Sequence, residues 1–500
     1  MDKSAKTLPA SFVQKRMWLL ARLDPQASIT YHIANGVRLI GELDCQALQA
    51  ALDRIVVRHE VLRTSMVEVN GQIRQRIQPP TGFPLVHDNA GACGADAAAI
   101  ARIAHREARR PFDLELGAPV RGRLLRLTAQ EHVLLLTFHH IACDGWSIGV
   151  LLRELEALYT AFLRRQPDPL PPLPIQYADY AIWQSEQLQG DTLDAQVRFW
   201  TGRLASAPSL LPLPTDRARP AMQDYRGAVV ERLLPPELRQ QLNGLVRRHG
   251  CSLFVTLLAG WALLLARISA TDDVTIGTPV AGRTHPDLEA LIGCFINTLA
   301  LRLTVSGTPT VAQWLAQVRT VVLNAQDHQD LPFERVVEAL QPSRSLSHTP
   351  VFQTMFSLDG FSGNQSLHLP GLRLEPLPDA SDMCAFDLML TMQESATGLR
   401  ACIKYPIALF DHSSIERHLD QFVALLRGMV ADDSARVDRL PLLGLPERQQ
   451  WLQRLARARG VFADDACLPG LFERQVAQAP QAIAVVHDDV ALSYAALDAR

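Results

Sequence analysis

Apolar positions recur along this chain with two different periods. Val133-Leu134-Leu135-Leu136-Thr137-Phe138 is a short apolar run that predicts a buried strand, whereas Ile148 to Leu163 carries its apolar residues at helical spacing. A turn must lie between them. Nearer the N-terminus, Leu48, Leu52, Ile55 and Val56 share one face of a helix predicted from Cys45 to about His59, with Asp44 as its N-cap. Leu62 to Val69 and Gln72 to Ile77 read as strands joined by an Asn70-Gly71 hairpin turn. Later, Pro235-Pro236-Glu237 opens a helix with Leu238, Leu242, Leu245 and Val246 on one face. Leu253 to Ile268 follows as a buried helix, then a strand-like Val274-Thr275-Ile276. The mixture of periods predicts a mixed α/β (α+β) fold.

Two proline-rich connectors interrupt this pattern. One contains Pro167, Pro169, Pro171, Pro172 and Pro174; the other contains Pro208, Pro212, Pro214 and Pro220. A helical stretch from about Tyr177 to Leu204 lies between them, so they mark a crossover between two lobes. The expected division is 1–175 for the N-terminal lobe, 176–435 for the C-terminal lobe and 436–466 for a charged linker. A further fragment, 467–500, is apolar again and stops inside a helical pattern. With 500 residues the chain exceeds one compact core.

A net charge of −3 offers no electrostatic reason to expect nucleic acid or an acidic membrane surface. Eight cysteines, including Cys93, Cys143 and Cys294, form no CxxC pair, which fits reduced thiols and a cytoplasmic location. Thr256, Gly260 and Arg267 interrupt the most apolar stretch, which is also shorter than the ~20 residues that cross a bilayer.

The chemistry concentrates in His139-His140-Ile141-Ala142-Cys143-Asp144-Gly145, an HHxxxDG pattern running into Trp146-Ser147. Imidazole is the side chain suited to accept a proton near neutral pH. Gly145 permits close backbone approach. Adjacent strand residues point to opposite faces, so the two rings would not share one metal ion. The pattern points to acyl transfer, with ordinary packing histidines as the alternative that spacing alone leaves open.

Seven separated segments, in order, resemble the condensation domain of nonribosomal peptide synthetases over roughly residues 8 to 435. They are Ser11 to Trp18, Arg58 to Thr64, Phe138 to Ser147, Tyr177 to Trp183, Ile292 to Thr298, His328 to Glu334 and Arg344 to Pro350. Val13 stands where Ala is usual, and Cys143 where a small polar residue is common. Leu468 to Glu473, Ala484-Val485-Val486 and Leu492-Ser493-Tyr494 look like the start of an adenylation domain without its catalytic motifs.

The resemblance implies two chloramphenicol-acetyltransferase-like lobes in a V-shaped pseudo-dimer with a central tunnel. It also implies donor and acceptor peptidyl carrier proteins as partners, delivering thioesters on 4′-phosphopantetheine, beside an adjoining adenylation domain. No intrinsic cofactor or metal is implied. His140 matches the central catalytic residue, as general base or as a positioning group; His139 is expected to pack. Asp144 is expected to pair with Arg63 and hold the loop, and Gly145 to offer its N–H near the reacting centre. Trp146 and Asn297 are candidate substrate-binding residues, each with a packing alternative. Tyr177, Asp179 and Trp183 are expected to be architectural.

The activity implied is transfer of a carrier-bound acyl or peptidyl thioester to the amine of a downstream aminoacyl group. Two rivals are a starter domain that N-acylates the first amino acid with a fatty acyl group and a non-catalytic recruitment platform. The motif lacks the two-aspartate form of heterocyclization domains.

Overall fold

Two large sheets, each backed by helices, and a small three-stranded sheet of Thr7–Pro9, Gln72–Ile77 and Thr64–Val69 organise residues up to Leu442 of the computed structural model. It describes residues 7–89, 96–343, 345–359, 367–378, 381–395, 398–458, 467–487 and 490–500. Cys93 and Arg344 lie outside them.

The first sheet has five strands, in the order Leu372–Pro376, His32–Gly41, Glu131–His139, Val120–Thr128, Leu85–Asn89. All pairs are antiparallel except the last, which is parallel. Glu131–His139 lies at the centre and is buried almost throughout, as its unbroken apolar run requires. Helix Cys45–Arg58 packs beside helix Gly145–Leu163 and buries Leu48, Leu52, Ile55 and Val56. Asp44 caps the first of these by accepting from the Gln46 and Ala47 N–H groups. Asn70 (φ 53°) and Gly71 (φ 75°) form the expected left-handed turn between Thr64–Val69 and Gln72–Ile77. Residues 60–63, of which 62 and 63 were expected as strand, form a single 3₁₀ turn instead.

The second sheet has six strands, ordered Asn297–Thr304, Asp273–Val280, Thr354–Asp359, Leu388–Ser395, Gly398–Pro406, Gly227–Leu233. Its central helix, Leu253–Ile268, is sealed by helix His412–Ala431. Their close approach needs Gly260, where a Cβ would stand 2.8 Å from Leu426. Leu253–Ile268 meets the preceding helix at 105°, and among the described residues no single helix is long and apolar enough to cross a membrane.

Three expectations change. Strand Leu372–Pro376 extends the first sheet although it lies within 176–435, so a cut at 175/176 does not separate the sheets. Its backbone covers the otherwise open edge of His32–Gly41. The stretch Tyr177 to Leu204 is two helices, Tyr177–Gln187 and Gly190–Leu204, interrupted where Gly190 turns to φ +57°. The segment expected as linker contains a helix, Leu445–Ala458. Its charges mark a solvated helix rather than the absence of structure. Residues 443–500 form a separate unit, with a second helix Leu468–Gln478 and a hairpin of Ile483–His487 and Val490–Ser493.

Candidate active site

The central strand of the first sheet ends at His139, whose N–H donates to Pro119 O at 2.8 Å. The His140 N–H donates to Tyr31 O at 2.8 Å, and the chain then turns until Asp144 caps helix Gly145–Leu163. The two imidazoles consequently part company. His139 is fully buried; its Nδ1 accepts from the Ile141 N–H at 3.1 Å, which leaves Nε2–H to donate to Ser28 Oγ at 3.2 Å. Its ring meets His32 and Phe112 edge to face. Burial, and then the neighbouring His32, pushes its pKa well below the ordinary histidine value. Both nitrogens are occupied by the chain, so His139 is part of the wall.

His140 is half-buried. Its Nδ1 faces its own carbonyl and the Cys294 thiol, whose Sγ lies 3.5 Å away. Nε2 bonds to none of the described residues. Burial lowers the His140 pKa; Asp144 and its own carbonyl oppose the shift, and the Arg16 cation adds to it. A neutral ring held at Nδ1 presents the Nε2 lone pair to an incoming proton. Burial pushes the Cys294 thiol well up, so no thiolate competes for that proton.

Asp144 is 2% exposed and accepts four hydrogen bonds. Oδ1 accepts from Ser147 N–H (2.8 Å), Ser147 Oγ (2.7 Å) and Arg283 Nη2 (3.1 Å); Oδ2 accepts from Phe295 N–H (3.0 Å). Its partner is thus Arg283, correcting the expected Arg63. Arg63 instead bonds Gln78 O at 2.6 Å and Glu60 at 3.2 Å, because the 3₁₀ turn points it at its own hairpin. The Arg283 guanidinium also donates to Leu291 O at 2.9 Å and stacks 4.1 Å from the Phe295 ring centroid. It ties the HHxxxDG turn to the 288–295 loop.

Asn297 is equally committed. Its amide donates to Gln329 O (2.7 Å) and Leu331 O (2.8 Å), while its oxygen accepts from the Thr298 (2.8 Å) and Phe333 (3.0 Å) N–H groups. The expected substrate-binding amide therefore staples the 329–333 segment, with no free polar atom left to offer. Tyr177 is buried and donates to Cys294 O at 2.7 Å; Asp179 caps its own helix. Trp183, expected as architecture, is 44% exposed.

Two cavities flank the 294–297 segment, and Ile296 borders both. One, bordered by Cys294, Trp183 and Glu334, lies on the side of Val13. The other holds about 700 Å³ and is bordered by Asp144, Gly145 and Trp146. The N–H groups of Gly145 and Trp146 open the helix and have no intrahelical acceptor. A Cβ on Gly145 would meet nothing within 4 Å, so the free space there belongs to whatever enters. Trp146 lies half open and anchors its ring by donating to Glu289 O at 3.0 Å.

Arg283, Ser147, Cys294 and the Arg16–Glu334 pair (3.0 Å) complete the site from outside the histidine-to-glycine run. Glu334 and Cys294 fall inside two of the seven family-like segments, but their partners here, Arg16 and His140, stand more than a hundred residues away in the chain. Arg283 falls in none of the seven.

The profile of the family described as "Condensation domain" matches residues 4–452. The chain belongs to that family. It is 43% identical over 493 residues to malpinin synthetase of Mortierella alpina, and 41% identical over 499 residues to one of the linear gramicidin synthase subunits of Brevibacillus parabrevis. Each match covers 99% of this chain but only 6% and 10% of the relatives, so the chain spans a small part of their length. Among solved structures, the X-domain from teicoplanin biosynthesis superposes with a TM-score of 0.81 at 31% identity, covering 89% of this chain and 99% of that one. The mixed α/β architecture agrees with that structure.

Proposed function

We propose that this condensation domain forms an amide in nonribosomal peptide biosynthesis. It would transfer an acyl or peptidyl thioester from an upstream carrier to the amine of an aminoacyl group on a downstream carrier. The observation carrying this reading is His140, held at Nδ1 with Nε2 unbonded, beside a segment that separates two cavities. Cys294, 3.5 Å from that ring, borders one cavity and Asp144 and Gly145 border the other, so substrates entering from opposite sides would approach the ring from each.

The amine nitrogen attacks the thioester carbonyl, a C–N bond forms, and the C–S bond breaks as the intermediate collapses. The amine proton passes to His140 Nε2 and leaves with the pantetheine thiol. The N–H groups at Gly145 and Trp146, which open the helix on the cavity lining, would serve as donors for charge developing on oxygen. Asp144 accepts from Ser147, Arg283 and Phe295, so its part is to hold the turn. The phosphopantetheine arms belong to the carriers, and an adjoining adenylation domain would load the acceptor.

The test is reconstitution with loaded donor and acceptor carriers, reading the amide product by mass spectrometry. A peptide on the downstream carrier supports the reading. An N-acyl product formed only from acyl-CoA would move it to a starter domain, and no product from any donor would leave a recruitment role.

A further inference from the structure

The cavity beside Gly145 carries a carboxyl group for which the reaction has no use. Asp359 is the last residue of strand Thr354–Asp359 and lines the same cavity as the start of helix Gly145–Leu163. Of the other ionisable side chains on the lining, Asp144 is paired with Arg283 and Arg153 has an interaction of its own. Asp359 makes no hydrogen bond or ion pair with any described residue.

Most of the lining is apolar, with Phe254, Val280, Leu299, Val322 and Leu358 bordering the same space, and Thr278 and Ser357 add hydroxyls. Burial raises its pKa above the ordinary carboxylate value. Asp359 is half-buried, and a carboxyl that loses part of its water without gaining a partner is costly. Such groups persist where a ligand supplies the missing partner. Gln326, at the end of helix Val311–Gln326, lies on the same cavity and adds an amide oxygen.

We infer that Asp359 selects a substrate bearing a protonated amine at a distance from its reacting atoms. This rests on the reading of the cavity as a substrate channel. The class fits an aminoacyl or peptidyl group with a free ammonium, or one with a basic side chain. A plain fatty acyl chain would leave Asp359 desolvated and unpaired. That chain has a competing berth, because a second cavity of about 600 Å³, lined by Leu134, Leu136, Phe138 and Leu155, adjoins the first through Asn35, Ile148 and Leu152. An apolar substituent can lie there while Asp359 reads the nitrogen.

The experiment uses stable acyl-aminopantetheine amides of matched length ending in ammonium, methyl or carboxylate, titrated calorimetrically into the full chain. The ammonium ligand should bind at least tenfold more tightly than the methyl ligand, and the carboxylate most weakly. Asp359→Asn should remove the ammonium preference, and Asp359→Leu should invert it. Methyl and ammonium ligands binding wild type equally, an ammonium preference surviving Asp359→Asn, or no binding of either ligand would each overturn the inference. The wild-type comparison stands even if a variant fails to fold. These amides cannot undergo transfer, so the result is independent of catalysis. Ammonium preference in a protein that forms no amide would defeat the proposed reaction and leave the role of Asp359 intact.

Discussion

Asp144 and Arg283 meet at 3.1 Å although they stand 139 positions apart in the chain, each side chain no more than 3% exposed. Such a pair is costly to bury, and removing one member leaves the other charged without solvent. Its value lies in fixing the HHxxxDG turn against the 288–295 loop. Arg283→Ala and Asp144→Ala should each lower unfolding free energy by roughly 3–5 kcal/mol in urea titrations. The double variant should cost far less than the sum. Arg63→Ala should cost about 1 kcal/mol, the worth of its hydrogen bonds, and should be additive with Asp144→Ala. Strong coupling between Arg63 and Asp144 would contradict the geometry.

Catalysis and packing divide between the two histidines. His140→Ala should slow amide formation by at least ~10²-fold with the melting temperature nearly unchanged, since Nε2 makes no bond to the described protein. His139→Ala should do the reverse in kind: it empties a sealed site and strands Ser28 and the Ile141 N–H. Its loss should appear first in stability and only then in rate. A His140→Ala protein condensing at the wild-type rate would remove the ring from the reaction.

The pH profile follows from the direction of the His140 shift. A depressed pKa keeps the ring neutral to lower pH, so the acidic limb of kcat/KM should fall below the ordinary histidine value of 6.5. Arg16 contributes to that depression and is itself held by Glu334 at 3.0 Å. Arg16→Gln removes the cation and frees the carboxylate, and both changes favour imidazolium. The limb should therefore move to higher pH. A limb that stays in place would show that another group titrates.

The central strand, the 64–77 hairpin, the helix after Asp44 and the HHxxxDG turn were legible because their signals are local. An apolar run of strand length, the Asn70-Gly71 turn and the Asp44 cap each act within a few residues. What escaped depends on distance in sequence. Arg283 was invisible as the partner of Asp144 because nothing near either residue marks the other. Arg63 looked eligible by resemblance, yet one 3₁₀ turn sends it elsewhere. For Asn297 the packing alternative holds, and Trp183, expected as architecture, is exposed, for a similar reason. The amide found four backbone groups supplied by residues 298 and 329–333, while the indole on a half-buried helix was left beside a cavity.

Acid should loosen the strand end that carries these histidines. His32 donates Nδ1–H to Ala108 O at 2.7 Å, and its buried Nε2 has no partner among the described residues, so a second proton has nowhere favourable to go. Burial lowers its pKa from 6.5 to about 4, despite the Ala108 bond and with Arg121 adding to the shift. In the unfolded chain the ring takes up a proton near pH 6.5; in the folded protein it does so only near 4. Its contribution is thus complete above pH 6.5, erodes as pH falls through that window and is gone below about 4. His139 erodes stability with the same sign. His32→Phe should flatten the dependence of unfolding free energy on pH between roughly 4.5 and 6 by up to about 1.4 kcal/mol per pH unit. Urea titrations at closely spaced pH values read this slope directly. An unchanged slope in the variant would mean that His32 is already charged in the folded protein.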